Sequence, residues 1–255
     1  MGRQAGDARQ AHGQDAAGDA DDVVVGAGVG ALGRSVDHAE QADVLQRHAA
    51  RYRKALEADP QFAGAWSAMA MVYSVIPFYT NRIEPEASWT LSLDASQRAL
   101  AIDPTQPEAY MAMGTAAGYM RRRETGVALL RRAVALKPSS ATAHQWLGTM
   151  LMEIGQPEES LRNLARAAEL DPRSLIIASN SASMLSIAGR DEEAIAVCAP
   201  TLEFAPDSRL CISVMAVSAL QLDDKARARP YFDRWARNHG PGSERQVIAL
   251  FDALE

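Results

Sequence analysis

The chain has 255 residues, of which 47% are apolar, 6% aromatic and 23% charged, and its formal net charge is −6. This composition excludes a disordered or fibrous chain, and the acidic balance disfavours nucleic-acid binding, which depends on neutralising phosphates. The two cysteines exclude a disulfide scaffold, and no apolar run reaches the roughly 18 residues that span a bilayer. The cysteine count and the missing apolar span lead us to expect a soluble, cytoplasmic protein with no membrane contact. Abundant alanine and few aromatic residues favour an all-α fold.

The first 35 residues differ from the rest of the chain. Residues 1–35 are rich in Gly, Ala and Asp and contain no aromatic residue, so they cannot bury enough apolar surface to fold and are predicted to be disordered. A GxGxxG motif stands there at Gly28, Gly30 and Gly33. Such a motif holds a dinucleotide only within a βαβ unit, and no second strand follows. We therefore expect no cofactor.

One amphipathic helix is predicted next, over residues 39–57. Its inner face would carry Val44, His48, Tyr52 and Ala55, which recur at helical spacing. This helix has the pattern of the second helices described below, without a first helix before it. It therefore begins the folded region, which we expect to extend over residues 36–255.

Prolines then mark a regular internal repeat. Pro104, Pro138, Pro172 and Pro206 lie 34 residues apart, and small or apolar residues recur at fixed distances before each of them. Pro60 has the same flanking residues but precedes Pro104 by 44 residues, so that unit contains an insertion of about ten, from Pro77 to about Glu86. A fixed period of this length indicates an array of helical hairpins.

The clearest unit shows how each hairpin is built. Leu147 and Leu151 lie on one face of a first helix, which Gly155 is predicted to end. Pro157 can begin the second helix, since the first turn of a helix does not need its N–H. Glu158 and Glu159 would then lie favourably at the positive end of that helix.

These units resemble the tetratricopeptide repeat family. The resemblance implies an all-α, α-α superhelical solenoid. The repeats would span about residues 63–104, 107–138, 141–172, 175–206 and 209–240, and residues 243–254 would form a capping helix. The matching residues are Leu147, Gly148, Gly155, Leu164, Ala167 and Pro172 in one repeat, Tyr110, Met113, Gly114, Leu130, Ala133 and Pro138 in the repeat before it, and Trp66, Met69, Ala70, Tyr73, Ala99 and Pro104 in the first.

The resemblance also implies where a partner would bind. In the family, fixed positions of each first helix line a concave groove. None of these positions holds Lys or Arg here, so a clamp for a peptide's C-terminal carboxylate is not expected. The groove would instead suit an apolar or mixed segment. The candidate groove residues are Met71, Met111, Thr115, Tyr119, Gln145, Trp146, Thr149, Met152, Ser179, Asn180 and Ser183.

Catalytic and metal-binding patterns are missing from the sequence. The five histidines lack the spacing of metal ligands, and no Ser or Cys nucleophile stands near a general base. Cys198 and Cys211 fall on inner helix positions and are predicted to pack as small hydrophobic side chains. We therefore expect no enzymatic activity, no catalytic residue and no bound metal.

Two functions remain open. The first is a non-enzymatic interaction module, or scaffold, that binds a peptide or protein segment in the groove. The second is the regulatory or sensory portion of a bacterial signal-transduction protein whose output domain is missing from this chain, either lost or encoded separately. The segment Asp171–Leu175 and the other Asp-Pro junctions resemble the tails of winged-helix transcriptional regulators and class III adenylate cyclases. The sequence leaves homo-oligomer formation open.

Overall fold

The computed structural model of the chain describes residues 38–239, and the regular structure in that range is helical. Eleven α-helices and one short 3₁₀ helix lie there, without a strand. The segment 1–35 with its glycine motif and the predicted capping helix 243–254 lie outside the described residues. The chain divides into two compact units between Gln156 and Pro157.

The first unit contains six α-helices. Helices α2 and α3 pack as a pair, as do α4 and α5, and α4 also contacts α2 and α3. Helix α1 packs against α2, and α6 packs against α5. The helices are α1 (His38–Ala58), α2 (Ala63–Val75), α3 (Pro85–Ile102), α4 (Pro107–Tyr119), α5 (Arg123–Leu136) and α6 (Ala141–Glu153), and the 3₁₀ helix (Ile76–Phe78) directly follows α2.

The second unit contains five α-helices. Helices α8 and α9 form one pair and α10 and α11 another, and α10 contacts both α8 and α9. Helix α7 packs against α8. The helices are α7 (Pro157–Leu170), α8 (Leu175–Ile187), α9 (Asp191–Phe204), α10 (Arg209–Gln221) and α11 (Lys225–His239). Both units therefore have the predicted all-α architecture of consecutive helix pairs.

Prolines and serines begin several of these helices. Pro85, Pro107 and Pro157 occupy the first turns of α3, α4 and α7. That turn suits proline, because its first N–H groups have no partner within the helix. The side-chain oxygens of Ser140 and Ser174 accept hydrogen bonds from backbone N–H groups in the first turns of α6 and α8. The sequence thus specifies these helix starts locally.

Four of the first helices, α4, α6, α8 and α10, end in a left-handed turn, as predicted for Gly155. The backbone N–H of Gly155 donates to the carbonyl of Met152 at 3.0 Å, and that of Gln156 donates to Leu151 at 2.9 Å. This pair of bonds satisfies carbonyls that would otherwise lack partners at the helix end. The residues with positive φ at these turns are Arg121, Gly155, Gly189 and Asp223.

The insertion in the first repeat occupies two places rather than one. The linker at 76–84 is longer than the three-residue linkers of the other pairs, and α3 has 18 residues where α5 has 14. The expected insertion from Pro77 to Glu86 therefore accounts for the lengthened linker only. The remaining extra residues add about one turn to α3.

Helices α4 and α5 approach each other closely at two glycines. A Cβ atom built on Gly126 would lie 2.7 Å from the carbonyl oxygen of Gly114, and one on Gly114 would lie 2.9 Å from Cγ of Leu130. Both distances are too short for a real Cβ contact. The crossing therefore requires glycine at both positions.

Each unit has its own apolar core. In the first unit, methionines and branched aliphatic side chains from α2, α4, α5 and α6 meet, whereas alanines and cysteines predominate in the second. Because small side chains allow close approach, the helices of the second unit pack largely through alanine. The largest fully buried side chains include Met71, Met111, Leu130, Leu151, Leu164 and Ile212.

The buried face of α1 is rotated from the predicted one. His48 and Tyr52 are buried as expected, but Val44 and Ala55 are only partly buried. Leu45 and Leu56 lie in the core instead. The deviation has a geometric reason. The predicted residues, mostly four positions apart, define a narrow stripe along the helix. A helix that packs against a neighbour buries a wider face, which also includes residues three positions apart.

Candidate partner-binding surfaces

The predicted groove residues of the first unit differ greatly in exposure. Tyr119 is 42% exposed, and Trp146, Thr149 and Met152 are partly exposed. The other members of the set have at most 6% of their surface accessible, so they lie beneath a surface rather than on it. These buried members are Met71, Met111, Thr115 and Gln145.

The hydroxyl group of Thr149 and the sulfur of Met111 are hydrogen-bonded within the protein. Thr149 Oγ1 donates to the carbonyl of Gln145 at 3.0 Å, and Ser140 Oγ donates to the sulfur of Met111 at 3.9 Å. Thr115 Oγ1 is buried and has no hydrogen-bond partner in the described part of the chain. The exposed part of this face therefore offers mainly apolar and aromatic surface.

Three aromatic rings gather at the end of α4. Tyr119 stacks on Trp89 of α3, with ring centroids 5.4 Å apart and an angle of 12° between the planes. Phe78 of the 3₁₀ helix meets Tyr119 at 4.9 Å and 58°. We call Phe78, Trp89 and Tyr119 the aromatic cluster. Phe78 is 43% exposed, so the cluster presents two accessible rings that a third ring holds in place.

Burial and charge act on the tyrosines of this region. Partial burial of the ring, together with the nearby Glu153 carboxylate, raises the pKa of Tyr119 above its ordinary value. Burial and the neighbouring Tyr119 raise the pKa of Tyr79 to about 12. Glu153 itself pairs with Arg123, with Nε and Oε2 2.7 Å apart. Both phenols therefore stay neutral hydrogen-bond donors at physiological pH.

Trp89 has an unused donor within the aromatic cluster. Its indole Nε1 is buried and lacks a hydrogen-bond partner in residues 38–239. By contrast, Trp66 Nε1 donates to the carbonyl of Pro60 at 3.0 Å, and the Arg98 guanidinium lies over its ring. A buried N–H without a partner is unusual, since leaving a donor unsatisfied costs free energy. A hydrogen-bond acceptor on a bound partner could satisfy this N–H group.

In the second unit, the predicted groove residues lie on α8. Ser179 is buried, and its Oγ lies 3.7 Å from Sγ of Cys211. Asn180 is partly exposed, as is Ser183, whose Oγ donates to the carbonyl of Ser179 at 2.9 Å. Apolar side chains with larger exposed fractions lie on the same unit: Ile187, Leu210, Val217 and Leu222.

The sequence analysis missed two kinds of surface residue. Phe78 and Trp89 lie in the insertion and in a second helix, which a rule based on first-helix positions does not cover. Their signal was the concentration of aromatic residues around the insertion, in a chain with only 6% aromatics. Leu210 and Val217, however, occupy first-helix positions of the last repeat, and extending the same rule to that repeat would have included them.

Ligands for a metal ion are not grouped within residues 38–239. No cluster of three or more His, Cys, Asp or Glu side chains that could hold a metal occurs in this range. Nor is any helix of this range long and apolar enough to cross a bilayer.

Comparison with known proteins gives a family match and several structural relatives. Residues 111–172 match the tetratricopeptide repeat family. The solved structure of PilF from Pseudomonas aeruginosa is 22% identical, with a TM-score of 0.60, and the match covers 94% of this chain and 99% of PilF. A thermophilic tetratricopeptide repeat protein from Thermus thermophilus is 21% identical, with a TM-score of 0.55 over 75% of this chain and 95% of its own.

A third structure, the MamA protein, is 17% identical, with a TM-score of 0.53 over 68% of this chain and 92% of its own. None of the curated proteins matches the chain. At these identities the structural likeness concerns the fold alone.

The helix pairs define an α-helical repeat protein. The family match and the structural relatives make its fold that of a tetratricopeptide repeat protein. These comparisons give no support to the resemblance to winged-helix regulators or adenylate cyclases.

Proposed function

We propose that the chain is a non-enzymatic interaction module that binds an extended segment of a partner protein on the exposed faces of its first helices. The observation that carries the proposal is the aromatic cluster, in which Tyr119 and Phe78 keep more than 40% of their surface accessible. Rings held rigidly by a neighbour lose little conformational entropy on binding. Aromatic residues of this kind often dominate the energy of an interface.

The composition of the first helices favours an apolar segment over an acidic one. Helices α2, α4 and α6 contain neither Lys nor Arg. A peptide's C-terminal carboxylate would therefore find no cation on these helices, and binding should not depend on a free C-terminus. Beyond the aromatic cluster, Trp146, Thr149 and Met152 would extend the surface, and Met152 can adapt to varied side chains.

The unpaired indole N–H adds polar specificity to this proposal. A backbone carbonyl of the bound segment could accept from Trp89 Nε1, which lacks a partner in the described residues. In the second unit, Asn180 and Ser183 with Leu210 and Val217 would contribute a mixed polar and apolar surface of its own. The buried members of the groove set would support these surfaces from beneath.

The test is selection from a random peptide library displayed on phage, using the full chain as bait. Enriched peptides should carry apolar or aromatic anchors and should bind equally well with an amidated C-terminus. Tyr119→Ala should weaken their binding at least about tenfold, as loss of an interface anchor does. Affinities would be measured by isothermal titration calorimetry.

Leu91→Ala is the matched control. Leu91 is apolar and 43% exposed, like Phe78, but it lies two positions from Trp89 and therefore on the opposite side of α3. Its substitution should leave peptide affinity unchanged. Failure to enrich any sequence family, or equal losses in Tyr119→Ala and Leu91→Ala, would contradict the proposed surface.

A further inference from the structure

The aromatic cluster contains hydrogen-bond donors as well as rings. Trp89 Nε1 is buried and has no hydrogen-bond partner within residues 38–239. Tyr119, which stacks on Trp89, carries a hydroxyl group that is protonated at neutral pH and can donate. Phe78 contributes neither a donor nor an acceptor. The three side chains therefore offer two donors, while their single acceptor is the tyrosine oxygen.

The two accessible rings of the cluster meet at an angle. Phe78 and Tyr119 are 43% and 42% exposed, and their planes are inclined by 58° with ring centroids 4.9 Å apart. Trp89 lies almost parallel to Tyr119 and supports it from one side. Proline is a side chain that can pack against such inclined rings without losing rotamer entropy.

The excess of donors distinguishes between the backbone forms that a ligand could have. A helical ligand uses its own carbonyl groups within the helix and would leave the donors of the cluster unpaired. Addition of a strand requires the edge of a sheet, and the part of the chain from 38 to 239 has no strand. A polyproline II segment keeps its carbonyl groups free, and proline has no N–H group that needs an acceptor.

We propose that the aromatic cluster binds a proline-rich segment of a partner protein in the polyproline II conformation. This inference rests on the proposed peptide-binding function and adds the chemical class of the partner. Proline rings pack against Phe78 and Tyr119, and two backbone carbonyl groups accept hydrogen bonds from the Tyr119 hydroxyl and from Trp89 Nε1. Because a proline-rich segment is already extended before it binds, it loses little conformational entropy.

The hydrogen bond from Trp89 requires a side-chain movement. Nε1 has almost no accessible surface, so a carbonyl group reaches it only when a neighbouring side chain turns aside. Phe78 lies in the three-residue 3₁₀ helix and, within residues 38–239, contacts another ring only at Tyr119. We expect this exposed ring to rotate, since rotamer changes at interfaces are common on binding. The indole N–H of Trp89 then reports the bound state.

A cage for a methylated ammonium group explains the cluster less well. A cation binds over the faces of aromatic rings, so a cage needs several faces directed at one central space. Tyr119 and Trp89 instead stack on each other, which leaves fewer faces for a cation. The unpaired N–H of Trp89 is also a donor, and a cation cannot accept its hydrogen bond.

The first measurement titrates the full chain with a peptide of ten prolines, acetylated and amidated at its ends, by isothermal titration calorimetry. The control is a Gly-Ser peptide of the same length with the same blocked ends, which is a flexible coil. We expect the proline peptide to bind at least about tenfold more tightly, because it is already extended. Equal affinities would overturn the inference.

Two variants remove one donor each and keep the ring. Tyr119→Phe and Trp89→Phe should each weaken binding of the proline peptide about three- to tenfold, as the loss of one hydrogen bond does. Trp66→Phe is the matched control, because its N–H already donates to the carbonyl of Pro60, outside the cluster. Its affinity should equal that of wild-type protein. An unchanged affinity in either donor variant would overturn the proposed hydrogen bonds.

Nuclear magnetic resonance provides a readout that does not need Trp89→Phe to fold. The chain has four tryptophans, so the indole N–H signal of Trp89 can be assigned by elimination with Phe substitutions at Trp66, Trp146 and Trp235. In wild-type protein this signal should move downfield when the proline peptide saturates the chain, because the N–H group gains an acceptor. A signal that stays in place at saturation would contradict the proposed contact.

A last comparison separates this inference from the proposed function. Peptides without proline, selected from the random library, are titrated beside the proline peptide into wild-type protein and Tyr119→Ala. If the substitution weakens only the selected peptides, and the proline peptide binds no better than the Gly-Ser peptide, the inference fails and the proposed function stands. If Tyr119→Ala leaves both affinities unchanged, both fail.

Discussion

Four residues with positive φ lie 34 residues apart, one after each of four first helices. Two of them are glycines, Gly155 and Gly189, both with φ of +74°. The other two are Arg121, with φ of 63°, and Asp223, with φ of 59°. An L side chain is strained in this region, although Asp tolerates it better than Arg does. The repeat therefore imposes one backbone conformation, whatever residue occupies the position.

Replacing Arg121 by glycine should stabilise the protein. The relief of left-handed strain outweighs the entropy that glycine adds to the unfolded chain, so Arg121→Gly should raise the free energy of unfolding by about 1 kcal/mol. Gly155→Ala is the converse test. A methyl group there would meet no atom within 4 Å, so its expected loss of about 1 kcal/mol would come from strain alone. Denaturant unfolding that ranks the two variants oppositely would contradict this account.

His48 makes stability depend on pH. It is buried on α1, and its Nδ1 has no hydrogen-bond partner in the described residues. Burial, reinforced by Arg51 and Arg47, lowers its pKa below the ordinary 6.5. The unfolded chain therefore binds a proton near pH 6.5, while the folded protein binds it only at lower pH. The free energy of unfolding should fall as pH falls below about 6.5.

His48→Gln removes this titration and keeps a neutral polar side chain. Urea unfolding at about pH 7.5 and about pH 5.5 should show a smaller loss of stability for the variant than for wild-type protein. The loss that remains in the variant measures the other titrating groups. An identical loss in both proteins would mean that His48 binds protons equally well in the folded and unfolded states.

At the scale of elements, the crossing of α4 and α5 limits substitution most severely. Gly126→Ala would place Cβ 2.7 Å from the Gly114 carbonyl oxygen, a backbone atom that cannot rotate away. The two helices would have to separate, at a cost of about 2–3 kcal/mol in the free energy of unfolding. Thermal and denaturant unfolding would both detect this loss.

Gly64→Ala is the matched control for this substitution. Its nearest neighbour is the Phe62 ring at 3.1 Å, a side chain that can move. Added helix propensity should then offset the small contact, so the stability change should stay within about 0.5 kcal/mol. Equal losses at Gly126 and Gly64 would show that the close helix crossing is not the cause.

Most of the fold could be predicted from local signals, and much of the surface could not. The helix boundaries indicated by the regularly spaced prolines and by Gly155 could be predicted, because they follow from backbone preferences that operate within each hairpin. The burial of a side chain, by contrast, depends on the neighbouring helices. Helix α2 is apolar on almost all sides and packs against three other helices. Met71 therefore lies in the core, although its position in the repeat predicted that it would line the groove. Phe78 contacts Tyr119 from the lengthened linker, whose conformation no repeat pattern encodes.

At the scale of the whole molecule, we expect protection against hydrogen exchange to differ between α4–α5 and α9–α11. Helices α4 and α5 cross closely at two glycines, and each contributes a fully buried side chain, Met111 from α4 and Leu130 from α5. Pro200 and Pro230 lie inside α9 and α11, where each removes a backbone hydrogen bond. Amides of α9–α11 should therefore exchange before those of α4–α5, because local opening follows the weakest hydrogen-bonded elements.

Pro200→Ala tests the cause of this difference. Pro200 is exposed, so the substitution opens no cavity and restores the N–H donor to the carbonyl of Ala196. The variant should gain about 1–3 kcal/mol, and the amides of α9 should exchange at least about tenfold more slowly. Pro172→Ala changes an exposed proline between α7 and α8, outside any helix, and should leave exchange in α9 unchanged. If both groups of helices were equally protected, or if the two substitutions slowed exchange in α9 equally, the proline inside α9 would not be the cause of its faster exchange.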